Sequence, residues 1–214
     1  MSVDERLQEA RPSFSDAMRV RFKGVLDPIA GALIRLGLMP NTITLLGLAG
    51  NIIGAFLLAV GNFLAGGILV LIMGPIDALD GAMARLRNEP TDFGGFVDSV
   101  TDRYSELIIY AGLTYAFVSQ GDSLMILLAF FAAAGSVLVS YVKARAESLG
   151  YDGRGGILTR FERYLVLAPA LILYGLGVSQ AALVGLVLIA VLANITALQR
   201  IRAVRIQARR RLGK

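Results

Sequence analysis

The chain alternates between long apolar runs and short polar breaks. The runs predict helices at roughly 41–60, 62–87, 92–118, 122–148, 159–176 and 179–202. Each contains a span near the ~20 residues that cross the hydrocarbon core of a bilayer. The breaks carry turn residues: Gly61-Asn62, Gln120-Gly121 and Gly177-Val178 on one side, and 88–90 and 151–156 on the other. Before the first run, Val25–Leu36 places Leu26, Ile29, Ala30, Leu33 and Ile34 on one helical face, behind Arg19, Arg21 and Lys23. That stretch is too short to span, and it predicts an amphipathic helix on the membrane surface or against the bundle. The fold class expected is all-α integral membrane, with six transmembrane helices plus this N-terminal helix. The chain divides into a cytoplasmic segment 1–38, a six-helix domain 39–204 and a basic cytoplasmic tail 205–214.

Composition agrees with a membrane protein. Hydrophobic residues make up 56% of the 214 residues and charged residues 17%. Lys and Arg are absent from 58–64, 118–123 and 174–180 and gather at the opposite helix ends, as Arg85, Arg87, Lys143, Arg145, Arg154, Arg160 and Arg163. The positive-inside rule then puts both termini and those loops in the cytoplasm, as six crossings require. This predicts a multi-pass protein of the cell membrane, attracted to anionic lipid, with no nucleic-acid partner. There is no Cys and no His. A bound metal would therefore rely on oxygen ligands, as Mg²⁺, Mn²⁺ and Ca²⁺ do.

Four carboxylates stand where lipid would penalise them: Asp77 and Asp80 in the second predicted span, Asp98 and Asp102 in the third. Spacings of three and four residues put each pair on one helix face. The turn at 88–90 makes the two helices antiparallel, so both pairs reach a similar depth, about 15 Å from the cytoplasmic end at 1.5 Å per residue. Gathered carboxylates repel one another, and divalent cations relieve the repulsion. Gly81 and Ala84 leave room beside the acids, Arg85 offers a donor for a diphosphate, and Gly94 and Gly95 lower the facing wall. An ion-conducting path and a packed polar network are the other uses of such acids.

The run Asp77-Ala-Leu-Asp80-Gly81-Ala-Met-Ala84-Arg85, then eight residues to Gly94, three to Asp98 and three to Asp102, resembles the signature of the CDP-alcohol phosphatidyltransferase family at every fixed position. The resemblance implies an enzyme that moves a phosphatidyl group from CDP-diacylglycerol to an alcohol with loss of CMP. It implies that Asp77, Asp80, Asp98 and Asp102 hold two Mg²⁺ or Mn²⁺ ions, that Asp102 is also the general base, and that the protein is a homodimer. Asp80, Gly81, Ala84, Arg85 and Gly94 would contact CDP. So would Asn41 and Thr44 in Pro40-Asn41-Thr42-Ile43-Thr44, where Asn41 otherwise reads as a plain helix N-cap.

Cations at other helix ends suit an anionic acceptor such as a polyol phosphate. The stretches Ser140-Tyr-Val-Lys143-Ala-Arg145-Ala-Glu147, Phe161-Glu162-Arg163 and Leu198-Gln199-Arg200 resemble those of bacterial phosphatidylinositol phosphate synthases. By that resemblance the acceptor is inositol 1-phosphate, and Ser140, Lys143, Arg163 and Arg200 bind its phosphate. Glycerol 3-phosphate, as in phosphatidylglycerophosphate synthase, and the substrates of an archaeal-type ether-lipid relative are the alternatives within the family. A cation transporter or a catalytically silent scaffold are the alternatives outside it. Arg145, Arg202 and the tail are read as topology signals and anchor.

Overall fold

The computed structural model describes residues 14–87 and 91–213, with backbone only for 14–23 and Asp77. The expectations for the Asp77 side chain, the 88–90 turn and residues 1–13 and 214 lie outside the described residues. Within them the chain is all helical: α1 Phe14–Arg35, α2 Pro40–Ala59, α3 Phe63–Leu86, α4 Asp92–Gln120, α5 Ser123–Ser148, α6 Arg160–Gly175 and α7 Ala181–Arg211. The breaks expected at 61–62, 120–121, 151–156 and 177–178 are observed. The Asn62 and Asp122 side chains accept from the amides of Ala65 and Met125 and start α3 and α5. Gly121 ends α4 at φ 68°, a left-handed conformation that favours glycine.

Six of the helices close a ring. α2 packs on α3 and α4, α3 on α6, α6 on α7, α7 on α5, and α5 back on α4. Small residues make the close approaches possible. A Cβ on Gly112 of α4 would fall on the Ala55 carbonyl of α2, and one on Gly175 of α6 would fall on the Leu64 backbone of α3. The interior is apolar, with Leu58, Val70, Ile109, Leu113, Phe117, Leu171, Leu186 and Ile189 buried together. The outside is apolar as well: Leu45, Ile53, Phe56, Phe130, Leu188 and Val191 are exposed. A soluble protein does not present so continuous a surface, whereas a bilayer covers it. α2, α3, α5 and α7 are long and apolar enough to cross a membrane. α4 carries Asp98, Asp102, Arg103 and Glu106 within its span, and α6 has only 16 residues. Length and composition therefore identify four spans, and the protein is a helical membrane protein.

Both chain ends depart from the simple pattern. α1 is longer than the predicted 25–36 and docks on α3. Ala30 is fully buried, with Leu26, Leu33 and Ile34 packed around Ile43, Leu79, Ala82 and Met83. Its opposite face leaves Val25, Ile29 and Leu36 exposed. At the other end α7 does not stop near 202 but runs unbroken to Arg211.

Candidate functional site

The predicted nucleotide-contacting residues converge at one end of the ring, where α2 and α4 begin and α3 ends. α2 starts at Pro40, whose fixed φ suits a first helical position. The N-cap is Met39, without a side-chain bond, so the plain-cap reading of Asn41 does not hold. Asn41 lies in the first turn, exposed, and its Oδ1 would be 3.9 Å from a Cβ on Gly94. Thr91 starts α4 by accepting from the Gly94 amide at 3.0 Å. One turn into α2, Thr44 Oγ1 donates to Asp80 Oδ2 at 2.6 Å, and both residues are buried. Gly81 and Arg85 are adjacent on α3, where a Cβ on Gly81 would be 3.5 Å from Arg85 Nη1. Ala84 is half-buried and Arg85 exposed. A bulkier residue at 81 or 94 would fill this cradle.

The third element of the site comes from α6. Asp102 Oδ1 meets Arg160 Nη1 at 2.5 Å, and Asp102 Oδ2 meets Arg103 Nη1 at 3.4 Å. One turn deeper on the same two helices, Glu106 receives Arg163 in a two-pronged pair, Nε to Oε1 at 2.7 Å and Nη2 to Oε2 at 3.1 Å. Arg163 Nη1 also donates to the Leu158 carbonyl at 3.3 Å, and Arg163 is 1% exposed. Charges so enclosed persist only when paired and hydrogen-bonded. Sequence reasoning missed Glu106 altogether. Its signal was the i,i+4 spacing from Asp102, matched by the i,i+3 spacing of Arg160 and Arg163.

The remaining predicted acceptor residues lie at the ends of α5 and α7. Arg200 is buried; its Nη1 donates to Val139 O at 2.6 Å and its Nε to Gly155 O at 2.8 Å. The Val139 contact brings it beside Ser140, which is also buried. Lys143 is exposed, with Glu147 at 3.9 Å. Ser140 and Arg200 are thus brought together, Lys143 stands at the open rim, and Arg163 lies behind Arg160 rather than at the surface.

Asp98 and Asp102 fall one turn apart on α4, whereas Asp80 is on α3; both helices pack on α2, which stands between them, so the direct pairing expected from the 88–90 turn is not the observed packing. Among the described residues no three acidic side chains lie close enough to share an ion. Asp80 engages Thr44 while Asp102 engages Arg160. The donor set fits a hard divalent cation in its chemistry: carboxylate oxygens in a chain without His or Cys.

An all-helical membrane fold thus gathers Thr44 with Asp80, Asp102 with Arg160, and Glu106 with Arg163 at one end of its ring. A family model described as CDP-alcohol phosphatidyltransferase matches residues 37–196, and the chain belongs to that family. It is an enzyme of phospholipid biosynthesis. The phosphatidylinositol phosphate synthase of Mycobacteroides abscessus is 36% identical over 190 residues, 87% of this chain and 86% of that protein. The crystal structure of Mycobacterium tuberculosis phosphatidylinositol phosphate synthase (PgsA1) with CDP-DAG bound superposes with a TM-score of 0.78. It has 34% identity and covers 84% of this chain and 93% of that one. The same enzyme in complex with manganese and citrate gives 0.78 and 34%, covering 84% and 88%.

Proposed function

We propose that the protein transfers the phosphatidyl group of CDP-diacylglycerol to inositol 1-phosphate, giving phosphatidylinositol phosphate and CMP. The observation that carries this reading is the meeting of Asp102 with Arg160, because it puts the signature acids against a cluster of cations suited to an anionic acceptor. The names of the similar enzymes support the same acceptor.

In this reading Asn41, Thr44, Asp80, Gly81, Ala84, Arg85 and Gly94 hold the CDP moiety. Asp77, Asp80, Asp98 and Asp102 hold two Mg²⁺ or Mn²⁺ ions, which neutralise the diphosphate and the charge on departing CMP. Ser140, Lys143 and Arg200 bind the acceptor phosphate; Arg160 joins them at the rim, and Arg163, paired with Glu106, stands one turn behind Arg160 on α6. The acceptor phosphate draws Arg160 from Asp102, and Asp102 then accepts the proton of the attacking hydroxyl. That oxygen bonds to the β-phosphorus, the bond from this phosphorus to the bridging oxygen breaks, and the bridging oxygen leaves on CMP. The arginines keep the acceptor oxygen in line with that bond.

The topology belongs to the same proposal. All six ring helices cross the bilayer. The termini and the site face the cytoplasm of the cell membrane. The segment 1–38 is a cytoplasmic N-terminal segment with a juxtamembrane amphipathic helix, 39–204 forms the catalytic domain, 205–214 is a basic cytoplasmic tail, and two copies form a homodimer.

Purified enzyme with CDP-diacylglycerol and each labelled acceptor tests the reading. Inositol 1-phosphate should be turned over with release of CMP. Turnover of glycerol 3-phosphate alone would assign the other acceptor, and cation flux without CMP release would assign another class. In the same assay Asp102→Asn should lower CMP release about 10²- to 10⁴-fold, the usual range for a positioned base.

A further inference from the structure

The extension of α7 past Arg200 reads in sequence as a basic anchor, yet in the fold it grips the α5–α6 loop. Thr196, Arg200, Gln207 and Arg211 are separated by four, seven and four residues, which places them on one face of α7. Each holds a successively earlier part of the loop. Thr196 Oγ1 accepts from the Leu158 amide at 3.0 Å, and Arg200 Nε donates to Gly155 O at 2.8 Å. The Gln207 amide makes a reciprocal pair with Asp152, accepting from its N–H and donating to its carbonyl, both at 2.9 Å. Arg211 donates to the Gly150 carbonyl and lies over the Tyr151 ring, 4.2 Å from its centroid. The loop thus runs antiparallel to the helix like a strap.

The other side of the strap is equally constrained. A Cβ on Gly153 would be 2.9 Å from the Lys143 Cα, and Gly156, at φ 108°, presses on Thr196. The strap therefore touches Lys143 on α5 and Arg200 on α7, and it leads directly into Arg160 on α6. On the reading given under Proposed function, these are cations of the acceptor site.

We infer that the α7 extension is a clamp that sets the acceptor site, with Gln207 and Arg211 as positioning residues that touch no substrate. Loosening the clamp lets the loop and its cations drift, which weakens acceptor binding and leaves the distant cradle at Thr44 and Asp80 intact.

The test compares the full-length wild-type enzyme, Gln207→Leu/Arg211→Gln and Arg209→Gln. The last removes a charge from the opposite face of α7. The first readout is the rate of tryptic cleavage after exposed Arg154 in the strap. The second is KM for the acceptor against KM for CDP-diacylglycerol. The double variant should be cut faster and should raise acceptor KM roughly tenfold, the scale of one or two lost hydrogen bonds, with KM for CDP-diacylglycerol unchanged. Arg209→Gln should match wild type in both. Restoring Gln207 alone should recover part of the acceptor KM. Unchanged cleavage overturns the clamp whatever the acceptor proves to be. Faster cleavage with acceptor KM unchanged, or with both KM values raised together, overturns the positioning role. Failure of the acceptor assignment itself shows separately, as a wild-type enzyme that turns over no polyol phosphate.

Discussion

Asp102 and Glu106 stand one turn apart on α4, and each meets an arginine one turn from the other on α6. The two pairs differ in surroundings. Arg160 is 26% exposed at its side chain and Asp102 14%, so this pair is open to solvent. Glu106 and Arg163 are closed off, and each needs the other to remain charged. Glu106→Gln removes one charge and leaves Arg163 buried without its counter-ion. It should destabilise the enzyme by about 3–5 kcal/mol, the cost of breaking a buried pair. Thermal unfolding of the detergent-solubilised protein measures this, and the combined change Glu106→Gln/Arg163→Met should recover much of the loss. A variant as stable as wild type would mean that the pair does not anchor α4 to α6.

At the scale of the helices, glycine decides which pairs approach closely. Gly112 lets α4 lie against the α2 backbone at Ala55, a contact that holds the signature helix beside the helix bearing Thr44. The contact involves backbone on the α2 side, so no side chain can rotate away from an added methyl. Gly112→Ala should lower stability by about 1–3 kcal/mol, as overpacking does. Gly95→Ala, at a position with nothing within 4 Å, should unfold like wild type. Equal unfolding of the two variants would argue against the close approach. In sequence the 151–156 loop reads only as a short link between helices. Gly153 and Gly156 in fact sit where the strap is pressed against α5 and α7.

Over the whole molecule, acids from α3 and α4, the polar start of α2 at Asn41 and Thr44, and cations from α5, α6 and α7 share one end of the ring. Stripping divalent ions with a chelator should abolish CMP release without unfolding the helices, and Mn²⁺ or Mg²⁺ should restore it. Full turnover after exhaustive chelation would remove the acids from the metal role. The helix pattern, the turns and the signature acids could be read from the chain alone. Apolar runs report helix length locally, and acids in such runs have few other uses. The tertiary structure alone decided that Glu106 closes over Arg163, that Arg160 reaches Asp102, that α1 docks on α3, and that α7 continues to Arg211 along the strap. Those outcomes depend on contacts between residues as far apart as 57 and 61 positions, and an isolated Arg or Gln carries no mark of its distant partner. Periodicity shows which face of a helix is apolar, while the closing of the ring determines what that face meets.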